Sequence, residues 1–236
     1  MTSASMPAMT ISPASSAESH LIDSVAESLA TLRSRIVATG RELDDVRIVA
    51  VTKTFSPAHV AAVAANGLRH VGENYAQELD DKRSVTSAPL TWHYLGALQT
   101  NKIPLLSRIS DLIASVSRTK EIEHLGRQIR RVPVYLQIDF TGREDRNGAP
   151  LSAIEELLLA AQKAEIDVRG LMTVGDQDPS VARREFGELR RACDTWGLRE
   201  CSMGMSNDLE IACDEGSTEI RVGRGLFGLR GPAPVR

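Results

Sequence analysis

The stretch "RIVAVTKTFSP", Arg47–Pro57, holds a strand, a cation and a helix start in close succession. Four apolar residues, Ile48 to Val51, predict a strand buried on both faces. Ser56 and Pro57 read as the N-cap and first position of a helix. Between them stands Lys53, one of five lysines in 236 residues. Alternate strand residues share a face, so Val49, Val51 and Lys53 point one way while Ile48 and Ala50 point the other.

The same strand–helix unit repeats outward from here. Helix 56–66 stops at Gly67, and a short strand near 69–72 leads into helix 74–83. "WHYLG" (92–96) predicts the third strand, with a short helix from about Asn101. "DLIASV" (111–116) precedes helix 118–130, and "VPVYLQIDF" (132–140) precedes helix 151–165. "DVRGLMTV" (167–174) leads into helix 179–195, and "ECSMGM" (200–205) into helix 207–215. "TEIRVG" (218–223) is the eighth strand and runs into a glycine-rich turn.

Eight strands alternating with helices, with no internal linker across 18–230, predict a single (β/α)8 barrel of the α/β class. A doubly wound open sheet is the alternative. Upstream, Leu21, Val25, Leu29, Leu32 and Ile36 recur at helical spacing before Gly40, which adds an N-terminal helix. Residues 1–17 are rich in Ser, Ala and Pro and read as a disordered tail, leaving 18–236 as the domain.

Composition excludes several function classes. The net charge is -3, and the 28 basic residues are interleaved with 31 acids, which gives no footprint for nucleic acid or an anionic membrane. No apolar run reaches the length of a membrane span, and the N-terminus lacks the pattern of a signal peptide. Three cysteines without CxxC spacing suit a reducing compartment and argue against a disulfide scaffold or zinc site. These features predict a cytoplasmic protein, with a monomer as the default and no metal.

Barrel active sites lie at the C-terminal ends of the strands, where Lys53 stands. Two roles are open for it. Its stem can carry the ammonium to water at the rim, or partial desolvation can free its amine for a Schiff base. "VGRGLFG" (222–228) places Gly223, Gly225 and Gly228 at GxGxxG spacing after the last strand. No second strand or acidic residue follows, so it does not match a dinucleotide fingerprint. It suits a barrel phosphate turn, with a plain closing turn as the alternative, and Ser206 is expected on the neighbouring loop. Arg221 alternates with Ile220 and Val222 and points inward, so it needs a partner: a carboxylate such as Glu219 or Glu73, or a cofactor ring nitrogen. Spacing alone favours the carboxylate. His93 is expected near the mouth, and Glu73 and Asp139 end strands, where a structural ion pair is the commoner role and catalysis the alternative.

An inward lysine, a phosphate-type turn and an inward arginine suit one ligand, pyridoxal 5′-phosphate. The stretches "VAVTKTFSP", "VGENYAQE", "WHYLGALQTNK", "GLMTVG", "SMGMSND" and "GSTEIRVGRGLFG" occur here in order. In them the chain resembles the pyridoxal-phosphate homeostasis proteins, which share the alanine-racemase-like barrel of fold type III, over nearly all of 18–230. The resemblance implies that Lys53 forms the internal aldimine and that Arg221 approaches the pyridine nitrogen. It implies that Ser206, with the backbone of Gly223 and Arg224, holds the phosphate. Asn74 would lie beside the ring, with Leu95 and Met203 lining the pocket.

Three positions depart from the family pattern. Ala97 stands where a proline is usual, Arg224 replaces a small residue, and Arg146 stands in a loop that usually ends KxG. In the related racemases a tyrosine from a C-terminal domain serves as second base. The sequence ends at Arg236 after the barrel, so the resemblance implies a carrier of the cofactor, with apo-enzymes as recipients and a racemase as the alternative.

Overall fold

The computed structural model describes residues 16–143 and 146–228. Helix α1 (Ser16–Ala38) precedes the first strand, β1 (Arg47–Val51), and its helix α2 (Pro57–Ala65). There follow β2 (His70–Glu73), α3 (Ala76–Ser84), β3 (Thr91–Tyr94), α4 (Ile103–Ile109), β4 (Leu112–Val116) and α5 (Thr119–Gly126). The second half contains β5 (Val134–Ile138), α6 (Ile154–Lys163), β6 (Val168–Thr173), α7 (Pro179–Thr195) and β7 (Glu200–Ser202). It ends with α8 (Leu209–Asp214), β8 (Glu219–Val222) and the one-turn α9 (Arg224–Phe227).

The strands form a closed barrel in chain order. Strand β8 pairs in parallel with β1, Arg47 opposite Glu219 and Ala50 opposite Val222. This closure is the (β/α)8 barrel expected from the alternation, and it excludes the open sheet. The apolar runs behave as parallel strands must, because helices outside and side chains inside cover both faces: β4 and β5 are buried at every position. Ile48, Ala50, Val71, Trp92, Ile220 and Val222 join the helices in one continuous outer core.

The barrel interior is filled differently. Leu112, Ala114, Tyr135 and Met172 form a small apolar layer, and His93, Ser202, Glu219 and Arg221 are buried beside it. Aliphatic residues usually dominate this space. Arg47 Nη1 donates to Glu200 Oε2 (2.9 Å) and Glu219 Oε2 (3.2 Å), and the Tyr135 hydroxyl donates to the same Glu219 oxygen (3.1 Å). His70 Nδ1 lies 3.0 Å from His93 Nε2. His93 therefore sits in the layer of Glu219 and Tyr135, below the mouth where the sequence put it.

Helix α1 runs from Ser16, so Ser16 and Ala17 belong to it, and the rest of the expected tail, residues 1–15, lies outside the described residues. Its Val25, Leu29, Leu32 and Ile36 are buried, and it packs on α2, α8 and α9. Strand β7 is shorter than expected because Gly204 adopts φ 94 and turns the chain. The Ser56 hydroxyl pairs with His59 Nδ1 at 3.0 Å and caps no helix N–H. Among the described residues no helix is long and apolar enough to cross a membrane.

Burial pushes His70 down to about 4 from 6.5, reinforced by the adjoining His93 and Arg47, and burial also lowers His93. His70 is neutral in the folded barrel at pH 6.5 and takes up its proton only on unfolding, so stability rises with pH across this window. Its contribution is complete above the unfolded value and is lost as pH falls from 6.5 toward 4. The urea midpoint is expected to drop across that range, and less steeply in His70→Gln. A midpoint flat with pH would disprove the neutral His70.

Candidate functional site

Inward parity brings the expected residues together. A cavity of about 1210 Å³ at the C-terminal ends of the strands is lined by Lys53, Asn74, Leu95, Ser206, Arg221, Gly223 and Arg224. Lys53 stands two residues beyond β1, after Thr52, and Asn74 directly follows β2. Two glycines make the packing beneath them possible. A Cβ on Gly72 would lie 2.6 Å from Leu95 Cδ1, and one on Gly96 would lie 2.0 Å from the Asn74 carbonyl oxygen. The bare backbone at Gly96 thus lets the β3 loop abut Asn74 at the rim.

Arg221 is almost fully buried. Its Nη1 donates to Ser202 Oγ (2.7 Å) and its Nη2 to the Thr173 carbonyl (2.6 Å). The Ser202 hydroxyl passes the interaction on to Glu219 Oε1 (2.7 Å). Glu219 is therefore one hydroxyl removed from Arg221, where spacing alone favoured a direct carboxylate partner. Burial would raise the Glu219 carboxyl, but His93, Ser202, Arg47 and Arg221 outweigh it and hold it below its ordinary value. Burial also lowers Arg221, with the Glu219 charge opposing.

Ser206 lies between β7 and α8. Its Oγ accepts the Gly225 N–H at 3.0 Å, which joins the seventh loop to the turn that opens α9. A Cβ at Gly225 would stand 3.0 Å from that oxygen. Arg35 of α1 donates to the Ser206 carbonyl (3.0 Å) and pairs with Glu210 through Nε (2.6 Å). The Met205 N–H is taken up by Asp208 Oδ1 (2.5 Å). The N-terminal helix thus braces the loop that carries Ser206.

One expected lining residue is elsewhere. Met203 is fully buried in the outer core, its sulfur 3.6 Å from Cys201 Sγ, and Met172 and Met205 line the cavity. Parity explains this, because Ser202 faces inward on β7 and Cys201 and Met203 must then face the helices. Glu73, expected as a strand-end carboxylate, faces away from the cavity and bonds Lys82 of α3 (2.7 Å) and Thr52 Oγ1 (2.6 Å). Asp139 accepts from Thr141 Oγ1 (2.9 Å) and the Gly142 N–H (2.8 Å), which closes its own loop. Arg146 lines the cavity and donates to the Val174 carbonyl at 3.0 Å. Gln137 of β5 also lines it, as do Asp176 and Asp208, whose loops carry no periodic signal that marks them in the sequence. Among the described residues no group of His, Cys, Asp or Glu could hold a metal.

No protein-family model matches the sequence. Over 222 residues it is 34% identical to the pyridoxal phosphate homeostasis protein of Pseudomonas aeruginosa, covering 90% of this chain and 96% of that one. The counterpart in Deinococcus radiodurans is 34% identical over 210 residues, covering 86% and 99%. The chain belongs to the pyridoxal phosphate homeostasis protein family. A solved structure similar to this member of the family is PipY of Synechococcus elongatus with PLP bound, at TM-score 0.72 and 32% identity, covering 86% of this chain and all of PipY. Alanine racemase from Corynebacterium glutamicum, at TM-score 0.71 and 18% identity over 91% of this chain and 63% of that one, shows the shared barrel fold alone.

Gly96→Ala is expected to force the β3 loop off Asn74 and to cost about 1–3 kcal/mol, as overpacking of a tight contact does. Gly142→Ala, at a surface position where a Cβ meets nothing, costs less and acts through backbone strain alone (φ 63). Urea midpoints of the two variants give the comparison.

Proposed function

We propose that this chain binds pyridoxal 5′-phosphate at the barrel mouth through the Lys53 amine and serves its storage and hand-over, without turnover of a substrate. The observation that carries this reading is the convergence of Lys53, Arg221 and Ser206 on one cavity in a member of this family. When bound, the group supplies an aldehyde that condenses with a primary amine, a phosphate and a pyridine nitrogen.

The donor set suits those three functions. Lys53 is a primary amine for covalent attachment. Ser206 Oγ already accepts the Gly225 N–H, so its own proton is available to an anion, with the backbone of Gly223 and Arg224 beside it. Arg221 brings a guanidinium, which cannot accept a proton and keeps a neighbouring ring nitrogen unprotonated. A ring so held is a weak electron sink, which favours keeping the group over using it. Asn74 and Leu95 flank the space for the ring.

Racemisation of an amino acid needs acid–base groups on both faces of the reacting carbon. None of the three tyrosines supplies one: Tyr94 donates to the Ala97 carbonyl, Tyr135 to Glu219, and Tyr75 stands outside the cavity lining. Arg224, Met205 and Asn207 at the rim are exposed, which suits exchange with solvent or with an apo-enzyme as recipient. Cys193, Cys201 and Cys213 are free and buried, in keeping with a monomer working in the reducing cytoplasm.

The protein mixed with pyridoxal 5′-phosphate is expected to turn yellow, and borohydride followed by peptide mapping is expected to mark Lys53. Lys53→Ala should lose the reducible band while keeping its circular dichroism spectrum. A variant that retains the band would overturn the attachment site. Amino-acid racemase and transaminase assays should stay at background, and turnover abolished by Lys53→Ala would replace storage with catalysis.

A further inference from the structure

We propose that Lys82 is a positioning residue for Lys53, fixing the peptide groups on both sides of it from behind the barrel wall. The inference rests on the assignment of Lys53 as the attachment amine. Lys82 lies on α3, outside the cavity, and is 4% exposed, which an ammonium tolerates only when fully partnered. Each of its three protons has an acceptor: the Thr52 carbonyl (2.7 Å), Glu73 Oε1 (2.7 Å) and Glu78 Oε2 (3.0 Å).

Those acceptors converge on Lys53. The Thr52 carbonyl belongs to the peptide group that precedes it, and the same oxygen accepts the Phe55 N–H (3.0 Å). The Thr54 N–H belongs to the peptide group that follows, and it donates to Glu78 Oε2 (2.7 Å), the oxygen Lys82 also holds. The Thr52 side chain adds a third tie by donating to Glu73 Oε1 (2.6 Å). One ammonium therefore organises both flanks of Lys53.

The backbone shows why such a clamp is needed. Thr54 has φ 65, a left-handed conformation that a β-branched residue adopts only when its surroundings impose it. Without the clamp the segment would relax toward ordinary φ values and swing the Lys53 stem off its line into the cavity. The remaining Glu73 oxygen, Oε2, is buried without a hydrogen-bond partner, so the clamp is not the cheapest ion pair the fold could have made. Burial raises the Glu73 carboxyl, against the pull of Lys82 and Thr52.

The experiment uses the full chain. Glu78→Ala removes the acceptor for Thr54 at a side chain that is 31% exposed, and Glu78→Gln restores an acceptor oxygen. Lys82→Met is combined with Glu73→Gln so that no carboxylate is left buried alone. Val63→Ala, a fully buried change in α2, serves as a control for general loosening. Two quantities are read well below the unfolding temperature. One is the rate of pyridoxal 5′-phosphate release; the other, in protein free of it, is the rate at which Lys53 is trinitrophenylated, followed by peptide mapping.

Glu78→Ala and the Lys82 double variant are expected to release the ligand roughly tenfold to a hundredfold faster and to change the Lys53 labelling rate, since small misplacements have effects of that order. Glu78→Gln should recover most of both, and Val63→Ala should leave both near wild type. Unchanged rates in Glu78→Ala, or equal changes in Val63→Ala, would overturn the clamp. Wild-type protein that fails to take up the ligand at Lys53 would instead overturn the attachment assignment, since Lys53 labelling reads the clamp without it.

Discussion

An ionised group buried inside a closed barrel has to be hydrogen-bonded along its whole length or it destabilises the fold. Arg221 imposes that requirement here. Its guanidinium takes the Thr173 carbonyl of β6 and the Ser202 hydroxyl of β7, and Ser202 hands on to Glu219 of β8. Glu219 then needs Tyr135 of β5 and Arg47 of β1. A single cation at the mouth thus dictates polar side chains on four strands, β1, β5, β7 and β8, down to the opposite end of the barrel. This explains why β7 and β8 carry Ser202 and Glu219 where aliphatic residues would ordinarily fill the layer.

The architecture was legible because parallel strands buried on both faces leave continuous apolar runs, and glycines and prolines punctuate the helices between them. Parity also worked well for single residues: Ile220 and Val222 in the outer core leave Arg221 and Glu219 inside. Where the reading missed, the same rule was available and not carried far enough. Arg221 inside on β8 and Ser202 beside it on β7 already require Met203 to face the helices. Glu73 forms the structural ion pair that is the commoner role for a strand-end carboxylate, since Gly72 sits against Leu95 and Val49 inside, which turns Glu73 outward to Lys82.

Other features have no local signature. Thr54 in a left-handed conformation follows from Glu78, which is 24 residues away, and nothing in "VTKTFSP" announces it. The bond from Arg35 to the Ser206 carbonyl spans 171 residues and arises only when α1 packs against α2, α8 and α9. His93 was misplaced because its position along the short strand β3 depends on the register with β2, His93 opposite Gly72, and register is a property of the closed sheet.

Three separate parts of the chain therefore fix the three main groups of the cavity. Arg221 is held through the interior by β5–β8, Lys53 from outside by α3, and Ser206 from outside by α1. None of these supports shares a residue with another, so a disturbance of one need not loosen the others. The arrangement differs from a loop-borne site, where one flexible segment would carry several ligand contacts at once. It also assigns the extra N-terminal helix a reason to be present. The helix after β8 is a single turn, and α1 packs on it and on α2 and α8. Without α1 the loop between β7 and α8 would also lose the Arg35 hydrogen bond and the ion pair to Glu210 that hold Ser206 against Gly225.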